Sequence, residues 1–150
     1  MPAPQKLNPA EMLVESLQGS SVVSVEHYAE DSWRLNFEAA GLNIQCPWRI
    51  VSNDAIVLGG SDHEQKFGLP QRVDVTVEAL RLLNGKTVES VRIDETTADL
   101  CINFAGDIRV NVFNDSSGYE GWTFADQRGT WLVAQGGGQM AIWKPTTAKT

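Results

Sequence analysis

The stretch Leu17-Gln18-Gly19-Ser20-Ser21-Val22-Val23-Ser24-Val25 returns sixty-six positions later as Leu83-Asn84-Gly85-Lys86-Thr87-Val88-Glu89-Ser90-Val91. Leu, Gly, Val, Ser and Val recur in register. So many identities in a short window point to an internal duplication. A single half is small for a stable core, so the two halves are expected to pack as one domain.

Working backwards, Asn8 and Asp74 stand at the same offset. Both residue types cap helices, because their side-chain oxygens accept from the free N–H groups of a first turn. Pro9 suits the first helical position, and Glu11 can complete a box with the cap. The pattern predicts helices over Pro9–Leu17 and Val75–Leu83. Leu13 and Leu17 line one, and Ala79, Leu80 and Leu83 line the other. Gly19 and Gly85 supply the left-handed turn that ends each helix.

Working forwards, Trp33, Leu35 and Phe37 alternate with polar residues, as do Leu100, Ile102 and Phe104. Such alternation marks half-buried strands. After Gly41 and Gly106 come Leu42, Ile44 and Cys46, matched with Ile108, Val110 and Val112. Trp48 corresponds loosely to Trp122, and Val57-Leu58-Gly59-Gly60 more loosely to the stretch from Val133 to Gly137. Short Gly, Asn and Asp-rich links favour meander connections. The expected fold is α+β: an internally duplicated helix plus antiparallel β-meander, pseudo-twofold, with about two helices and eight strands. It forms a single domain over 1–150, with repeats at 8–60 and 74–144 and a linker at 61–73. Residues 1–7 and 145–150 are expected as mobile ends.

The 150-residue chain is 42% hydrophobic and 21% charged, a globular composition that argues against a mainly disordered chain. Its formal net charge of −7 opposes general nucleic-acid binding and suits a basic protein partner. No apolar run reaches membrane-spanning length. The segment from Met1 to Gln18 lacks a basic region followed by an apolar one, so no signal peptide is expected. Cys46 and Cys101 cannot build a disulfide framework, and free thiols fit a cytoplasmic protein.

Catalytic signatures are sparse. His27 and His63 lack the spacing of a helical metal pair. In Ser61-Asp62-His63-Glu64 the last three residues are of metal-ligating type, but ligand types alone rarely suffice and the cluster reads as a solvated turn opening the linker. His27 falls on a strand with Val23 and Val25 on its face, and Ser24 and Glu26 point the other way. Cys46 reads as a small core residue and Cys101 as lying on the opposite strand face, with no basic neighbour to activate it. Gly136-Gly137-Gly138 lacks the Lys-Ser/Thr of a phosphate loop and reads as a hairpin or bulge link between strands at Trp131–Gln135 and Met140–Lys144. Trp122 reads as core. No metal, cofactor or catalytic residue is expected.

Carboxylates offer the most polar chemistry. The first strand and the loop after it hold Glu26, Glu30 and Asp31, and Asp94, Glu95 and Asp99 occupy the matching stretch of the second half. Together they form a candidate docking surface for a cationic partner. Tyr119 and Glu120, beyond the Asp-Ser-Ser-Gly loop, are the next candidate face.

The run Leu83-Asn84-Gly85-Lys86, Val88, Ser90-Val91, then Leu100-x-Ile102-x-Phe104, Gly106-Asp107, Tyr119-Glu120-Gly121-Trp122 and a closing Gly-Gly resembles small uncharacterised bacterial domains. Several such domains are encoded near polymorphic toxins and act as immunity proteins. The resemblance covers Leu83 to Trp143, with a weaker echo from Leu17 to Gly60, and it carries no catalytic set. It implies a cytoplasmic, non-enzymatic protein that occludes the active site of a cognate, basic toxin or effector. A small-ligand module or enzyme with a pocket between the repeats is the alternative. A subunit assembling through strand edges is a third possibility.

Overall fold

The computed structural model describes residues 8–144. The expected mobile ends, 1–7 and 145–150, lie outside the described residues. In chain order the elements are α1 (Pro9–Leu17), β1 (Val22–Ala29), β2 (Ser32–Phe37), β3 (Ala40–Ile44), β4 (Trp48–Ser52) and β5 (Ala55–Gly59). They continue as α2 (Val75–Leu83), β6 (Val88–Ile93), β7 (Leu100–Phe104), β8 (Ile108–Val112), β9 (Trp122–Asp126), β10 (Trp131–Ala134) and β11 (Met140–Trp143). Among the described residues the fold is mixed α+β, with two α-helices and eleven strands in two antiparallel sheets. The expected count of about eight strands was low. Strand β5 exposes Ala55, Ile56 and Val57 in a row, so it lacks the alternation that marks a half-buried strand.

The helices form where their caps stand. Asn8 Oδ1 accepts from the N–H groups of Ala10 and Glu11 at 3.0 and 3.2 Å. Asp74 Oδ1 accepts from Thr76 and Val77 at 3.0 and 3.4 Å. Both helices end before a left-handed glycine, Gly19 at φ 80° and Gly85 at φ 76°. Helix α1 packs on β6, and α2 packs on β1.

One sheet has the order β1-β2-β3-β9-β10-β11 and the other β5-β4-β8-β7-β6. The expected continuous meander therefore breaks after β3 and again after β8, and the chain crosses to the opposite sheet each time. In the first crossing Pro47 has no N–H to give a ladder, and its carbonyl accepts from Phe113 N–H at 2.8 Å. The registers are reciprocal. Trp48 faces Val112 while Trp122 faces Ile44, and Ile50 faces Val110 while Phe124 faces Leu42. By this register Ile44, not Cys46, corresponds to Val112.

Both first hairpins carry a bulge at matching places, between Val22 and Ser24 and between Val88 and Ser90. The extra residue turns Val23 out to 53% exposure, so Val22 and not Val23 shares the buried face. Next to each bulge an Asn amide bonds a Ser hydroxyl, Asn36 to Ser24 at 2.9 Å and Asn103 to Ser90 at 3.1 Å. At the centre of the core Phe37 of one sheet stacks on Phe104 of the other, 6.5 Å between centroids and 5° between planes. Among the described residues no helix is long and apolar enough to cross a membrane.

Candidate functional site

A cleft of about 910 Å³ opens where β1, β2 and β4 meet the segment after β5. Its walls bring together both histidines of the chain. The His27 ring stacks on Trp33 at 3.9 Å and 18°. His63 meets the His27 ring edge-on at 4.7 Å and 66°, and Trp33 at 5.2 Å and 83°. Trp33 in turn packs edge-on against Trp48 at 5.8 Å.

His63 is not part of a freely solvated turn, as the sequence suggested. It follows the short 3-10 turn Gly60–Asp62, where Asp62 Oδ2 accepts from Gly59 N–H at 2.8 Å. His63 Nδ1 accepts from the N–H of Val75, the first residue of α2, at 3.2 Å. That bond places the proton of the neutral ring on Nε2. The linker closes on itself, with Glu64 N–H donating to Val73 O and Val73 N–H to Gln65 O, at 2.7 and 2.8 Å. So the segment 61–73, read as a connector, is a wall of the cleft.

Charge around the cleft is unequal. Glu30, Asp31, Glu64 and Asp115 line it, against one guanidinium, that of Arg72. Cys46 also lines it, and burial pushes its thiol up to about 12, with Asp115 and Asp99 adding to the effect. At neutral pH that thiol is protonated and a weak nucleophile. Iodoacetamide at pH near 8 is therefore expected to alkylate half-buried Cys101 in the folded protein and leave Cys46 intact, with both modified in denaturant. Peptide mass mapping reads the result. Equal labelling of the two cysteines in the folded state would contradict the assignment. Among the described residues no group of three or more His, Cys, Asp and Glu side chains is placed to hold a metal ion.

Trp48 is buried, yet its indole Nε1 has no hydrogen-bond partner. A Cβ at Gly60 would stand only 2.4 Å from that nitrogen, so any other residue there would press on it. Trp122, at the reciprocal register position, donates from Nε1 to Ala98 O at 2.8 Å. The loop from Asp94 to Asp99 brings that carbonyl inward. Asp94 accepts from Thr96 and Thr97 N–H, both at 2.9 Å, and these bonds hold its carboxyl below the ordinary range. Asp99 Oδ1 accepts from Asn114 N–H, and Asn114 Nδ2 donates to Thr97 O, both at 2.9 Å.

Of the carboxylates singled out in the sequence, only Glu30 and Asp31 line this cleft. Glu26 is exposed on β1 and accepts from Tyr28 Oη and from Asn36 Nδ2. Asp94 and Asp99 hold their own loop and line a second, smaller hollow of about 340 Å³. Glu95, Tyr119 and Glu120 are exposed elsewhere, while Trp122 is core at 1% exposure. The sequence reading missed His63, Glu64, Arg72, Asp115 and the orphaned Trp48 as one site. The available signal was the extra residue between β6 and β7, which makes the second half differ from the first.

A family model covers residues 13–144, nearly the whole described chain, and its description is a family of unknown function, DUF6188. The chain belongs to that family. No curated protein and no solved structure matches it. The DUF6188 match runs from within α1 to the residue after β11, so every residue lining the cleft falls inside it.

Proposed function

We propose that this chain is a cytoplasmic, non-enzymatic binding protein of the immunity type, which occludes the active site of a cognate bacterial toxin or effector. The observation that carries this reading is the charge of the cleft, four carboxylates against one guanidinium. Such a recess favours a basic partner and speeds its encounter. The net charge of −7 acts in the same direction. The protonated Cys46 thiol supports binding over nucleophilic chemistry. Glu30 and Asp31 are the principal contacts of this reading. Glu26, Glu95, Tyr119 and Glu120 remain exposed for a partner that covers more than the cleft.

The same proposal takes the chain to be a duplicated, pseudo-twofold unit whose last strands are exchanged between sheets. The reciprocal registers of β4 with β8 and β9 with β3 support it. The matched caps, bulges and Asn–Ser bonds support it as well.

The test is capture from the native host with the tagged chain and with a Glu30→Lys, Asp31→Lys double variant. A basic protein is expected with the original chain and not with the variant. That protein should arrest growth when expressed alone, and growth should return on co-expression with the original chain only. A captured protein that is harmless, or that the double variant still holds and neutralises, would sink the reading.

A further inference from the structure

The cleft wall contains a donor with nothing to donate to. Trp48 lines the cleft, is 4% exposed, and has an unpartnered indole Nε1. A buried N–H left unpaired forfeits the hydrogen bond it made to water in the unfolded chain, so an acceptor that reaches it is favoured. An indole N–H is a donor only, and its complement must be an oxygen or another acceptor.

The other half of the molecule shows what such an indole takes. Trp122 and Trp48 each open a strand, and each faces the last residue of the strand it pairs with across the two halves, Ile44 and Val112. Trp122 Nε1 is met by a main-chain carbonyl, that of Ala98. The residues after Ile93 fold inward to deliver it, with Ala98 buried and at φ 64°. In the first half the corresponding pair is His27 with Trp33, against Ile93 with Leu100. There the chain continues outward as a hairpin, pairing Ala29 with Ser32, and delivers no carbonyl. Gly60, with no side chain, stands directly beside the Trp48 nitrogen, where a Cβ would come within 2.4 Å.

We propose that this cleft binds an extended peptide segment of the partner protein, one main-chain carbonyl accepting from Trp48 Nε1 and an adjacent Lys or Arg side chain reaching Glu30, Asp31 and Asp115. The segment takes the place that residues 94–99 fill in the other half. This deepens the reading of the cleft as the binding face and rests on it. A peptide satisfies the site because it carries an amide acceptor and a cation on one short chain. An anionic ligand such as a nucleic-acid phosphate would set its charge against four carboxylates.

The experiment follows the five tryptophan indole N–H resonances in proton–nitrogen correlation spectra of the full chain. Trp48 is assigned through its contacts to Trp33 and Gly60. The probes are the capped pentapeptide acetyl-Gly-Ala-Lys-Ala-Gly-amide, its Glu counterpart, and n-butylammonium, a cation without a carbonyl. The Lys peptide is expected to move the Trp48 resonance saturably and to slow its hydrogen exchange, leaving Trp122 unmoved. The Glu peptide should bind about tenfold weaker or worse. Butylammonium should leave Trp48 in place, and Gly60→Ala should abolish the response to the Lys peptide. The inference fails if Trp48 exchanges as slowly as Trp122 in the free protein. It also fails if the Lys peptide saturates without moving the Trp48 resonance; that second outcome leaves the acidic cleft standing as a binding face. If the Lys peptide does not bind and the double charge variant still captures its toxin, both readings fall.

Discussion

Replacing Phe104 by Ala is expected to destabilise the fold by about 3–5 kcal/mol, the range for deleting a buried aromatic ring. Phe104 is 2% exposed and stacks on Phe37, itself 4% exposed, across the two sheets. The loss removes apolar burial and leaves a cavity that rigid strands on both sides cannot close. Phe37→Ala should cost a similar amount. Because the rings touch, the double variant should lose less than the two single losses combined, with a coupling of about 0.5–1.5 kcal/mol. Urea unfolding midpoints at constant slope measure all three. A Phe104→Ala protein that unfolds with the original would mean that the rings do not meet at the sheet interface.

Gly138→Ala is expected to be the most damaging of the glycine substitutions considered, at about 2–5 kcal/mol from left-handed strain and overpacking together. Gly138 is buried at φ 97°, and a Cβ there would stand 2.1 Å from Thr96 O and 3.0 Å from Thr97 Cα. Those are main-chain atoms of the loop that caps Trp122, and they cannot swing away as a side chain can. The variant should therefore also loosen the Ala98 carbonyl from Trp122 and speed exchange of that indole N–H. Gly19→Ala is the control. Gly19 has a positive φ of 80° but no atom within 4 Å of the added Cβ, so only the strain of about 1–2 kcal/mol remains. Equal losses at the two positions, by thermal or urea unfolding, would show that the contact with Thr96 is absent.

Much of the local structure was legible in the chain because it rests on near neighbours. Asn8 and Asp74 announce helix starts, and Gly19 and Gly85 announce their ends, through bonds spanning only a few residues. The alternation Trp33-x-Leu35-x-Phe37 and Leu100-x-Ile102-x-Phe104 reports which face is buried, whatever lies opposite. The sixty-six-residue echo marked the corresponding helices and first strands correctly. The bulge at Val23 escaped this reading, since one extra residue inverts the parity of a strand without changing its composition.

What the chain settled on its own was therefore the kind and approximate bounds of its helices and alternating strands, since capping and side-chain periodicity are local. Which sheet each strand joins was decided only in three dimensions. Strands β4 and β5 join β6 to β8 rather than β1 to β3, and no local preference distinguishes one antiparallel partner from another. The site was decided there too. His27 and His63 are far apart in sequence and adjacent in space only because β1 and the segment after β5 pack side by side. Asp94 and Asp31 look alike as residues, yet Asp94 bends its own loop inward while Asp31 is left on the rim of an open cleft. The bonds of Asp94 itself are local, but the bond from Trp122 to Ala98 that fixes the loop inward depends on an element distant in the chain and cannot be read from either carboxylate alone.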